Sequence, residues 1–158
     1  MKLHLLRHAK TDQNSLTGKD FDRKLLKKGK VQSEEMGKYF KKQNFNPSKI
    51  ICSTAARTRE TITIIQTEQK INSKIEYVDE LYLAEKEKIF SIISNMTENE
   101  DLFIIGHNNG LSDLASYLID DFIDLSTCDF ITLEFKIDSW EEISKGLGIV
   151  IERFHPSV

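Results

Sequence analysis

Four short apolar runs, Lys2 to Leu6, Lys49 to Cys52, Ile75 to Val78 and Leu102 to Ile105, alternate with stretches whose apolar residues recur at helical spacing. Runs this short are strand-length, and the segments between them are long enough for helices. Lys27 to Lys42 carries Val31, Met36, Tyr39 and Phe40, Arg57 to Gln69 carries Ile62, Ile64 and Ile65, and Leu83 to Met96 carries Ile89, Phe90 and Ile93. A further helix is expected from Leu111 to Ile119, after Asn109-Gly110. Strand and helix in strict alternation imply a mostly parallel sheet covered on both faces. The end of the chain breaks that rhythm: Phe130 to Phe135 and Leu147 to Glu152 are joined by a short polar connection containing Trp140, which reads as a hairpin. The expected fold is therefore an α/β three-layer sandwich, a mostly parallel central sheet flanked by helices with a C-terminal β-hairpin, in one domain spanning 1–158.

Composition agrees with a globular chain of that kind. Its 158 residues suffice for one real core, and 39% hydrophobic with 30% charged residues and only two Pro describe neither a disordered nor a membrane protein. A net charge of -3 argues against non-specific nucleic-acid binding. No stretch approaches the roughly 20 apolar residues of a membrane span. His4 and Arg7 interrupt the first apolar run before a signal-peptide core could develop. Cys52 and Cys128, both inside apolar runs, read as buried free thiols, and a cytoplasmic location is expected.

The chemistry sits at the strand ends, where parallel sheets present functional groups. The first strand ends in Arg7-His8 and the fourth in Gly106-His107-Asn108. A neutral imidazole is a good nucleophile toward phosphorus, and a neighbouring guanidinium both disfavours the protonated ring and holds phosphate oxygens. His8 is thus the candidate nucleophile and Arg7 its partner. The segment Ser53 to Thr61 follows the second strand and opens a helix, whose free N–H groups favour anions. Arg57 in its first turn is placed to enter the same cleft, whereas Arg59 lies about 200° around the helix and points away. Ser53 is most simply a helix cap. His107 alone would be an ordinary turn residue; beside His8 it is a candidate donor to a phosphoryl oxygen.

Together these segments resemble the histidine phosphatase superfamily, which includes cofactor-dependent phosphoglycerate mutases and many small phosphatases. Arg7-His8-Ala9 is similar to the family's opening Arg-His-Gly motif, with Ala9 where the family carries Gly. Thr11 and Asn14 match a common continuation, which implies that Asn14 contacts phosphate. Asp22-Arg23-Lys24-Leu25 followed by Gly29 is similar to the Asp-Arg-Pro-Leu and glycine pattern of the small phosphohistidine phosphatases, which implies that Arg23 joins the pocket. Ser53, Arg57 and Thr61 resemble the second-arginine motif, and Gly106-His107 the late histidine. The hairpin with Trp140, Gly146 and Gly148 before Phe154-His155-Pro156 is similar to the same small branch. The resemblance covers most of the chain and implies a phosphatase working through a covalent phosphohistidine, with no metal and no cofactor.

Family members that cleave phosphate esters carry a mid-chain carboxylic acid to protonate the leaving oxygen. Glu80 is the first candidate here, then Asp79 and Glu85, all as loose matches. An alkoxide leaves poorly without a proton, whereas an imidazole bonded to phosphorus can already carry one. A weak acid position therefore favours phosphohistidine. Only 49 residues separate Arg57 from His107, already filled by a helix, a strand and another helix, so little remains for a lid and a phosphorylated protein fits better than an enclosed metabolite. The expected function is a phosphohistidine phosphatase; the alternatives are a phosphomonoesterase acting on a small phosphate ester, or a non-catalytic phosphate-binding module. A cysteine phosphatase needs five residues between Cys and Arg, but four separate Cys52 from Arg57 and six separate it from Arg59. A zinc site built on His4 and His8 fails because their segment is a strand with no clear third ligand. No nucleic-acid or membrane partner is expected.

Overall fold

The computed structural model describes residues 1–158 throughout. Its elements are β1 (Lys2–Arg7), α1 (Lys27–Lys42), β2 (Lys49–Ser53), α2 (Ala56–Glu68), β3 (Ile75–Val78), α3 (Lys86–Ser94), β4 (Leu102–Gly106), α4 (Gly110–Ile119), β5 (Phe130–Glu134) and β6 (Ile149–Phe154). Short 3-10 turns lie at Asp20–Asp22, Asp79–Leu81 and Trp140–Glu142. The strands form one six-stranded sheet in the order β3-β2-β4-β1-β5-β6. The first four in that order are parallel, and β5 and β6 run antiparallel as the terminal hairpin.

Alternation along the strands divides the apolar side chains between two cores. On β4, Leu102 and Ile104 join Leu3 and Leu5 of β1 in one core, covered by Ile89 and Ile93 of α3 and by Leu111, Leu114 and Leu118 of α4. Phe103 and Ile105 join Leu6, Ile50 and Cys52 in the other, covered by Met36 and Phe40 of α1 and Ile62 and Ile65 of α2. The result is the three-layer α/β sandwich expected from the alternation. His4 belongs to the second core rather than to a metal site. Its Nδ1 lies 2.8 Å from the Thr132 hydroxyl, and its ring packs against Phe45 and Phe130. No helix is long and apolar enough to cross a membrane.

Two elements start two or more residues later than expected. α3 begins at Lys86, not Leu83, because Leu83 takes a left-handed conformation (φ 48°) and Glu85 is extended. That short segment is pressed against the start of α4, where a Cβ on Gly110 would lie 1.9 Å from the Ala84 carbonyl oxygen. The last strand runs from Ile149 to Phe154, two residues later than Leu147 to Glu152. Gly146 and Gly148 donate their N–H groups to Tyr117 and Leu118 at the end of α4, so the chain pairs with β5 only after that contact.

The long polar loop after β1 is closed at its neck. Asp12 N–H donates to Lys24 O, and Leu26 N–H to Lys10 O. Helix α1 starts so close to this neck that a Cβ on Gly29 would lie 2.0 Å from Lys10 O. Gly29→Ala should therefore destabilise the fold by about 1–3 kcal/mol, as overpacking does. Urea denaturation checks this, and an unchanged midpoint would show that the contact has room to relax.

Candidate active site

Parallel pairing sets Arg7 of β1 opposite Gly106 of β4, and His8 N–H donates to Gly106 O. The next residue of each strand is a histidine, so His8 and His107 leave the sheet side by side with ring centroids 5.3 Å apart. A cleft of about 570 Å³ opens there, lined among others by Arg7, His8, Asn14, Arg23, Arg57 and His107. The structure thus brings together six of the seven residues singled out in the sequence.

Glu80 is not among them. It is exposed on a separate depression that Asp79 shares, while Glu85 borders a third. The Asp79–Leu81 turn buries Leu81 and sends Tyr82 toward the cleft, which leaves its two carboxylates facing away. Asp79 instead accepts a hydrogen bond from the Thr54 hydroxyl. The mid-chain residue that does line the cleft is Leu83.

Hydrogen bonding fixes the proton on His8 and anchors one ring nitrogen of His107. His8 Nδ1 lies 2.8 Å from the Ala9 carbonyl oxygen, which can only accept, so Nδ1 carries the hydrogen and Nε2 keeps its lone pair. Burial, aided by the guanidinium groups of Arg57 and Arg7, pushes the His8 pKa down to about 3. His107 Nε2 lies 2.8 Å from Ser53 Oγ, which also accepts from Ala55 N–H. The Ser53 hydroxyl keeps its own hydrogen and a second lone pair for Nε2; where it donates, the hydrogen of neutral His107 sits on Nδ1. Burial, then the adjacent His8 and Arg57, lower its pKa to about 3 as well. Ser53 is consequently not the helix cap: Ala55 holds that position, and Ser53 ends β2 as the support of His107.

The arginines are oriented from behind. Arg7 Nη1 donates to Leu125 O, and Arg57 donates through Nη1 to Asp20 O and through Nη2 to the Asp20 carboxylate. Three buried side-chain polar atoms in the chain lack a hydrogen-bond partner: Arg7 Nε, Arg57 Nε and His107 Nδ1. All three residues line this cleft; the two arginine atoms are N–H donors, and His107 Nδ1 is one in the tautomer in which Ser53 donates to Nε2. An unsatisfied buried donor costs about 1–3 kcal/mol, so the site is preorganised for a group bearing several acceptor oxygens. Arg23 is more fully engaged, with Nε on Asp12 O, Nη1 on Asp20 and Nη2 on Thr11 Oγ1. Asn14 is exposed at the mouth. Ala9 needs no glycine, because its φ is not positive, and it packs into the second core.

Asp20 and Tyr82 are the contacts that sequence reasoning missed. The Asp20 carboxylate accepts from Arg23, Arg57 and the Tyr82 hydroxyl, and that hydroxyl, then Arg23 and Arg57, hold it well below the usual carboxylate range. The Asp20–Arg23 spacing of three residues was a readable ion-pair signal. Tyr82 lies 62 residues from Asp20 and gave none. No group of three or more His, Cys, Asp or Glu side chains is placed to hold a metal ion.

A sequence model of the histidine phosphatase superfamily (branch 1) matches residues 3–101. The chain belongs to this superfamily. Among solved structures it is similar to a candidate phosphohistidine phosphatase SixA from Agrobacterium tumefaciens, at 26% identity over 98% of this chain and 97% of that one, with a TM-score of 0.84. The fold is also that of a protein histidine phosphatase SixA complexed with tungstate, with a TM-score of 0.82 at 17% identity over 98% and 97% of the two chains. A relative by sequence is an uncharacterized chloroplastic protein of Arabidopsis thaliana, 29% identical over 151 residues, 89% of this chain and 69% of its own. In this histidine phosphatase the small SixA-like architecture is thus complete from the first strand to the terminal hairpin.

Two outcomes follow from the buried imidazoles. The pKa values of His8 and His107 at about 3 and of His4 at about 4 all lie below the unfolded value of about 6.5. Between those limits the unfolded chain binds more protons, so stability should be fully present above pH 6.5 and fall as pH drops toward 4. Urea midpoints across that range check the sign, and a flat profile would contradict neutral burial. Ser53→Ala should leave the fold intact yet free His107 to adopt the other tautomer. The expected loss in kcat/KM is about tenfold or more, measured on whichever phosphorylated substrate the wild type hydrolyses.

Proposed function

We propose that this protein is a phosphatase that takes the phosphoryl group from a phosphohistidine of another protein onto His8 and releases it as inorganic phosphate. The observation that carries this reading is the bare Nε2 of a neutral, buried His8 in a cleft whose Arg7 Nε, Arg57 Nε and His107 Nδ1 have no partner in the protein. A nucleophile without its own proton and donors without acceptors together fit a phosphoryl group in flight. Its similarity to SixA proteins supports the same reading.

The chemistry balances without an added acid. In the first step Nε2 of His8 bonds to phosphorus while the P–N bond of the substrate breaks. The departing imidazole keeps the hydrogen on its other ring nitrogen and leaves neutral. His8 retains its Nδ1 hydrogen on Ala9 O, so the phosphorylated ring is chemically like the one it replaced. Water then attacks phosphorus, the P–Nε2 bond breaks, His8 returns to its starting tautomer, and the water proton leaves with inorganic phosphate. Arg7, Arg57 and His107 hold the phosphoryl oxygens throughout, and Arg23 and Asn14 border them.

Simple esters fit less well. An alkoxide needs a proton, but Asp20 is held ionised by Tyr82, Arg23 and Arg57, and Glu80 lies outside the cleft. His107 is a neutral imidazole, a poor acid. Leaving groups that need no protonation should therefore be preferred. Assays of wild type and His8→Ala on a phosphohistidine protein, on p-nitrophenyl phosphate and on glycerol phosphate test this. The expected order of kcat/KM is phosphohistidine, then the aryl ester, then the alkyl ester, all lost in His8→Ala. Equal turnover of the alkyl ester and phosphohistidine would contradict it. Arg57→Ala should remove about 3 kcal/mol of transition-state stabilisation, read in kcat; a change confined to KM would assign Arg57 to binding alone.

A further inference from the structure

Residues 10–30 carry seven Lys and Arg against three Asp in a chain whose net charge is -3. All three acids are occupied locally. Asp20 holds Arg23 and Arg57, Asp12 accepts from Asn14 N–H, and Asp22 accepts from the Thr17 hydroxyl. The six lysines of the segment are exposed, and none forms an ion pair. Positive charge is therefore in excess on this stretch of surface, seven bases against its own three acids and the Glu60 carboxylate that accepts from Leu25 N–H.

That stretch borders the phosphate cleft. Lys10 and Leu26 line it, and Lys24 lines an adjoining depression that shares Asp12 and Asn14 with it. Lys27 and Lys28 open α1 immediately after Leu26. Their placement runs against helix stability. A helix N-terminus favours acidic side chains and a polar cap, yet the first turn of α1 has no acid and Leu26 provides no side-chain cap. Side chains in a helix lean toward its N-terminus, so these lysines lean toward the cleft end. A small phosphate held by Arg7 and Arg57 has no need of charge so far outside the pocket.

We propose that Lys24, Lys27 and Lys28 form a docking rim for acidic residues flanking the phosphohistidine of a protein substrate. The inference rests on the phosphohistidine phosphatase reading and specifies the partner. Opposite charges around the reacting groups steer encounter and fix orientation, with an effect that salt removes.

Two synthetic phosphohistidine peptides, identical except that one is flanked by Asp and Glu and the other by Ser, provide the test. At low salt the wild type should turn over the acidic peptide with about tenfold or greater advantage in kcat/KM, and this advantage should collapse at high salt. The triple variant Lys24→Glu, Lys27→Glu and Lys28→Glu should lose or reverse the preference while turning over the neutral peptide as the wild type does. Its thermal midpoint should not fall, because acids replace bases at the start of α1. Equal turnover of both peptides by the wild type, or an equal loss on both in the variant, would overturn the docking rim alone. Turnover of neither peptide alongside hydrolysis of p-nitrophenyl phosphate would overturn the phosphohistidine reading and the rim with it.

Discussion

The parallel pairing of β1 with β4, with Arg7 opposite Gly106, is the constraint on which the site depends. It places two histidines, distant in sequence, at adjacent strand ends. A shift of one residue would turn His8 to the other face of the sheet and break both cores. The same pairing separates Leu3 and Leu5 from Leu6, so the packing that stabilises the sheet also fixes its register. Helices α1 and α2 then bring up the remaining pieces: Gly29 lets α1 approach Lys10, and Thr61 on α2 accepts from Ala9 N–H while donating to Arg57 O.

The cleft gathers positive charge while keeping both imidazoles neutral. Burial is the larger cause for each ring, and the nearby arginines act in the same direction. Buried guanidinium groups need a counter-charge, and Asp20 supplies it to Arg57 from the side away from Nε. The arginine is thereby oriented without spending its Nε donor. Ala9 O assigns the His8 proton to Nδ1, and Ser53 anchors His107 through Nε2. Under the proposed function, these groups are positioned before a phosphoryl group arrives.

Much of this was legible in the chain because its signals are local. Strand and helix periodicity gave the sheet and its two covering layers, and the residues just past β1, β2 and β4 gave Arg7, His8, Arg57 and His107. What was not legible depends on contacts between distant segments. The acid expected at Glu80 failed because a 3-10 turn, invisible to apolar periodicity, rotates its side chain outward. Helix α3 starts late because Leu83 is held left-handed where Ala84 meets Gly110. Ser53 has the chemistry of a cap, and its position at a strand end suits one; only the arrival of His107, 54 residues later, gives it another partner. The Tyr82 hydroxyl on Asp20 is a contact of the same kind.

In the proposed reaction His8 Nε2 is the atom that accepts the phosphoryl group. The most direct test is to mix the enzyme with a phosphohistidine peptide under single-turnover conditions, quench in alkali, and map the phosphoryl group by mass spectrometry and 31P NMR. The expected result is a transient, acid-labile phosphoryl group on Nε2 of His8 that forms and decays no more slowly than turnover. Release of phosphate without a label at His8, or a label on Nδ1 or on another residue, would contradict it.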